Sequence, residues 1–230
     1  MKRYCSTLIF VFFIILGVAR TANAGVLIEP YFGYAASVGG LDKTIGKMED
    51  FEEYSVEIVT DYGGWDIGAR AGYVYSIFMA GIDFDYRSLK ATYQFGNPAT
   101  QEPVEIQPEI KMMSFGIFAG VWLKNNINIR ASYFPMASWN FKSMPSTVDI
   151  GGDFGEMEIP VKTGDEWTGD AFSFAIGWRV YEWVAVNFEY KKYSYNEFND
   201  KEVDSDKRFR PSELIFTVSF PFNLFGKVDK

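Results

Sequence analysis

From residue 26 onward, apolar positions alternate with polar or small ones at a period of two, the spacing that sends successive side chains of a strand to opposite faces. Eight runs carry it, at 26 to 37, 65 to 75, 78 to 87, 112 to 122, 127 to 135, 171 to 180, 184 to 191 and 213 to 222. In the third, Phe78, Ala80, Ile82, Phe84 and Tyr86 alternate with Met79, Gly81, Asp83, Asp85 and Arg87. In the eighth, Leu214, Phe216, Val218, Phe220 and Phe222 alternate with Glu213, Ile215, Thr217 and Ser219. Each run has about the ten residues that a tilted strand needs to cross a bilayer. The connections after the second, fourth and sixth runs are short (Ser76 and Ile77, 124 to 126, 181 to 183), whereas those near 38 to 64, 88 to 110, 136 to 169 and 194 to 211 are long. An even strand number with short and long connections at opposite ends predicts an all-β chain. The expected fold is a single eight-stranded antiparallel transmembrane β-barrel with four long extracellular loops and short periplasmic turns.

Alternation leaves the direction of the faces open, because a soluble barrel alternates too, with its apolar face inward. Volume decides. Eight strands enclose a space that side chains just fill, and four or five bulky residues from every strand would overfill it. The opposite face is rich in Gly, Ala and Ser, as a narrow lumen requires. The bulky face is therefore expected to meet lipid. Aromatic residues gather near the ends of the runs, among them Trp65, Tyr75, Tyr86, Trp178, Trp183 and Tyr190, where interfacial girdles would lie.

Composition adds an address and removes several chemistries. The 230 residues are 48% hydrophobic and 18% aromatic, yet no apolar stretch is long enough for a spanning helix. Residues 1 to 24 combine Lys2 and Arg3, an apolar run from 8 to 19 and the small-residue ending Ala22-Asn23-Ala24, the pattern of a secretory signal peptide. The one cysteine, Cys5, lies inside that segment, and histidine is absent. A mature chain then has no disulfide, no thiolate or imidazole metal site and no histidine acid/base pair, so neither a cofactor nor an enzyme is expected. Without Lys2, Arg3 and Arg20 the chain keeps 19 basic against 30 acidic residues, which speaks against a nucleic-acid partner.

Over 25 to 222 the pattern resembles the small eight-stranded outer-membrane β-barrel proteins, the OmpA-like and OmpX-like group. The final run, Glu213-Leu-Ile-Phe-Thr-Val-Ser-Phe-Pro-Phe222, resembles the aromatic-ended strand that the barrel-assembly machinery recognises. The resemblance implies a bacterial outer-membrane location, insertion by that machinery, and outer-membrane lipid and lipopolysaccharide as neighbours. Residues 223 to 230 read as a short periplasmic tail.

Two sets of residues are candidates for function. On the expected lumen face, five basic residues (Arg70, Arg87, Arg130, Arg179, Lys191) meet six acidic ones (Glu29, Asp66, Asp83, Asp85, Glu189, Glu213), beside Tyr31, Met79, Phe118, Trp122 and Phe134. Such balance suits a self-paired plug better than an ion-selective pore. A two-residue turn at Ser76 and Ile77 would set Arg70 opposite Asp83 and Asp66 opposite Arg87. The long connections hold 21 acidic and 9 basic residues. Among them Glu49, Asp50, Glu52, Glu53, Asp149, Asp153 and Glu156 are possible cation-binding acids that could bridge a divalent cation to lipid phosphates, or simply a solvated surface. The glycine stretch from 40 to 48 lacks the spacing of a phosphate loop and 149 to 156 lacks that of a calcium repeat, so no metal site is assigned. The expected function is a non-enzymatic envelope protein acting in structure or surface interaction through its acidic loops. The alternative is a narrow pore, or a port for small hydrophobic molecules as resemblance to the OmpW-like group implies.

Overall fold

The computed structural model describes residues 24–38, 59–95, 104–123, 125–149, 156–158, 161–205 and 208–224. Residues 1 to 23, which carry most of the expected signal peptide, lie outside the described residues. Eight long strands follow the eight runs: β1 (Ala24–Ser37), β2 (Val59–Tyr75), β3 (Phe78–Phe95), β4 (Glu109–Trp122), β5 (Ile127–Ser143), β6 (Glu166–Tyr181), β7 (Val184–Phe198) and β8 (Ser212–Ser219, continued by Phe222–Leu224). Each pairs antiparallel with its neighbours in sequence, and β8 pairs with β1, Phe32 opposite Val218, so the sheet closes on itself. Closure leaves no edge along these strands for another chain to extend.

The closing seam runs further than the sequence suggests. Asn223 and Leu224 pair with Leu27 and Val26, so the first part of the expected tail from 223 to 230 is barrel wall. The alternation does continue there, since Leu224 faces outward like Phe222. The gap in β8 has a local cause. Pro221 lies in it and Pro30 stands beside it on β1; neither has an N–H to donate, while Phe220 N–H donates to Pro30 O at 2.9 Å. Residues 225 to 230 lie outside the described residues.

Within the eight runs the faces are as predicted. Trp65, Ile67, Phe84, Ile117, Phe174 and Phe216 are exposed on the outer wall, while Asp66, Arg70, Asp83, Arg130, Glu189 and Lys191 are buried inside. Water would reverse this arrangement; a bilayer favours it. The molecule is a transmembrane barrel with an apolar belt outside and charged residues across the middle of its lumen.

Toward the long connections the strands overrun their expected ends. β2 starts at Val59, β3 reaches Phe95, β5 reaches Ser143, β6 starts at Glu166 and β7 reaches Phe198. The connections expected at 38 to 64, 88 to 110, 136 to 169 and 194 to 211 are correspondingly shorter. The period of two persists there with its polarity reversed: Leu89 is buried between exposed Ser88 and Lys90, and Ile110 and Met112 flank exposed Lys111. One half of the barrel is built for lipid and the other for water. On β5 the phase itself slips at a bulge, where the register moves between Phe134 and Ala137 and both residues face inward. Pro135 lies in that bulge, the place where a strand tolerates a missing donor.

Candidate functional site

The lumen is occupied at three levels. Near the short turns, Leu27, Val74, Met79, Phe118 and Trp122 form an apolar cluster. Near the long connections a larger one surrounds Trp139, which meets Tyr62 at 5.1 Å and Phe209 at 4.9 Å between ring centroids, both edge-on. Tyr193, Tyr195 and Phe209 stack in sequence beside it, at 5.4 and 5.5 Å. Between the two clusters lie the charges.

These charges form two knots. In one, Arg70 reaches Asp83 at 3.0 Å, Glu189 at 3.3 Å and Glu29 at 3.7 Å. Its guanidinium lies 4.0 Å over the ring of Tyr31, whose hydroxyl donates to Asp83 at 3.0 Å. Arg130 joins through Glu29 at 4.0 Å and Asn128 at 3.4 Å, and its Nε and Nη2 are buried without a hydrogen-bond partner among the described residues. In the second knot Arg87 binds Asp66 at 2.9 Å, Asp85 at 3.2 Å, and also Glu213 and Tyr193. Lys191 donates to Asp85 at 2.5 Å and lies 3.4 Å over the ring of Phe134. A charge taken out of water this completely is tolerated when opposite charge and hydrogen bonds surround it.

Ten of the eleven expected lumen charges therefore meet in ion pairs. Arg179 does not. It is half-buried and lies 4.1 Å over the ring of Trp122, at the turn end. The β2–β3 hairpin has the register expected from its two-residue turn, Arg70 opposite Asp83 and Asp66 opposite Arg87, with Ser76 at a φ of 56°. The contacts that reach across the lumen, Arg70 to Glu189, Arg87 to Glu213 and Lys191 to Asp85, join strands that are not neighbours. Only closure of the sheet brings those residues together, so linear register could not reveal them. The aromatic cap around Trp139 also escaped, because its residues fall where the polarity reverses or the phase slips.

The acidic candidates are mostly out of view. Glu49, Asp50, Glu52, Glu53 and Asp153 lie outside the described residues, while Asp149 and Glu156 are directly opposed in a short pairing of Thr147–Asp149 with Glu156–Glu158. Among the described residues no cluster of three or more acidic groups is arranged to hold a metal ion.

The chain matches no family model and no curated protein. Among solved structures it is similar to the outer membrane protein OprG of Pseudomonas aeruginosa, with 9% identity, 86% of this chain and 96% of that one covered, and a TM-score of 0.47. It is also similar to Ail, the attachment invasion locus protein of Yersinia pestis, solved with the heparin analogue sucrose octasulfate (10% identity, 86% and 98% covered, TM-score 0.43). A third is Neisserial surface protein A (15% identity, 87% and 98% covered, TM-score 0.39).

Proposed function

We propose that this chain is a sealed outer-membrane barrel, with its long connections outside the cell and its short turns in the periplasm, that works through its external surface. The occupied lumen carries this reading. Two apolar clusters bracket a charge network in which four cations and six carboxylates are tied to one another by ion pairs, which disfavours a water column. A barrel that conducts nothing leaves its outer connections as the working part. Those connections hold most of the acidic excess of the sequence, so a cationic partner fits them best.

Binding of a cationic peptide such as oligolysine to the barrel in nanodiscs tests this. Replacing Glu49, Asp50, Glu52 and Glu53 together by Gln or Asn should weaken binding at low salt and flatten its salt dependence. Unchanged binding would remove the acidic first connection from the account.

A further inference from the structure

We propose that Lys90, Lys111 and Lys142 form a site on the outer wall for the phosphate groups of the glycolipid in the outer leaflet. The three lie on adjacent strands β3, β4 and β5, and all are exposed. Lys111 stands opposite Ser88 on one side and Asn140 on the other; Lys90 and Lys142 each lie two positions further along the flanking strand. Diagonal neighbours of this kind stand roughly 7 to 8 Å apart, within reach of long side chains around one anionic group.

Their height on the barrel matches a lipid headgroup. On β3 the outward residues from Phe78 to Tyr86 are apolar or aromatic, as are those on β4 from Val121 to Met113. At about 3.3 Å per residue and a tilt near 40°, such a stretch rises roughly 20 Å along the membrane normal. Lys111 is the next outward residue on β4 after Met113, with Lys90 and Lys142 just above it. A lysine there lays its stem along the apolar belt and its ammonium at the phosphate layer.

Charge completes the match. Glu109 faces Lys90 across the ladder and Glu166 stands opposite Asn140, a diagonal neighbour of Lys142, so the patch of three lysines and two glutamates keeps a surplus of one positive charge. No carboxylate among the described residues forms a salt bridge with any of the three, whereas Arg70, Arg87 and Lys191 in the lumen are each held by at least one. The site rests on the orientation proposed above, since the lysines lie toward the long connections.

Native mass spectrometry of the barrel released from detergent micelles, with bis-phosphorylated lipid A as the probe, reads this directly. The wild type should retain phosphorylated lipid A and hold its fully dephosphorylated counterpart at least ten-fold more weakly. The triple variant Lys90→Gln, Lys111→Gln, Lys142→Gln should lose most of that preference, while Lys162→Gln with Lys201→Gln, two exposed lysines elsewhere, should keep it. Equal retention of both lipids, or an equal loss in both variants, would overturn the site. The orientation is read separately. Lys201→Cys should react with an impermeant maleimide on intact cells, and no labelling would refute the orientation whatever the lipid result.

Discussion

Arg87 meets three carboxylates, as Arg70 does, and also hydrogen-bonds Tyr193, so its removal is an informative single change in the lumen. Arg87→Ala leaves Asp66, Asp85 and Glu213 facing one another with Lys191 as their remaining cation. Breaking a buried ion pair from one side costs about 3 to 5 kcal/mol. Arg179→Ala removes a half-buried cation whose described contact is the ring of Trp122, for which about 1 kcal/mol is expected. Urea unfolding in lipid vesicles checks the contrast; equal losses would mean that the network does not bear on stability. Which residues face the lumen was legible, because the strand period fixes faces. Which of them meet was legible for Arg70 with Asp83, which follow from one turn. It was not legible for Arg70 with Glu189, whose 119-residue separation is bridged only by closure.

At the level of the strand, the reversal of polarity along β3 makes a paired prediction. Phe84 lies in the lipid-facing belt, and Phe84→Lys should cost roughly 2 to 4 kcal/mol and lower the yield of insertion. Ser88, two outward positions on, is exposed beside Lys111, and Ser88→Lys should change stability by about 0.5 kcal/mol or less. Similar penalties at both positions would move the membrane boundary beyond Ser88. β2 offers a second test. Gly68 lies under Tyr31, and a Cβ there would come within 2.3 Å of the Tyr31 ring. Gly68→Ala should push Tyr31 off Asp83 and cost about 1 to 3 kcal/mol, read as a lower unfolding midpoint. The strands were readable as far as the belt extends, since there the alternation sets bulky apolar residues against small or charged ones. Beyond it, Leu89, Ile110 and Trp139 still alternate, but among Lys, Ser and Asn on the outer face, and such stretches look like polar loops.

For the whole molecule the central claim is that the barrel is sealed. Its two apolar clusters and the charges between them belong to different strands, so the seal is a property of the closed sheet rather than of any one hairpin. Single-channel recording in planar bilayers tests it most directly. The wild type should show little or no steady current, and Trp139→Ala combined with Arg87→Ala, which opens the cap and cuts the network beneath it, should give frequent openings. A stable, large conductance from the wild type would contradict the account.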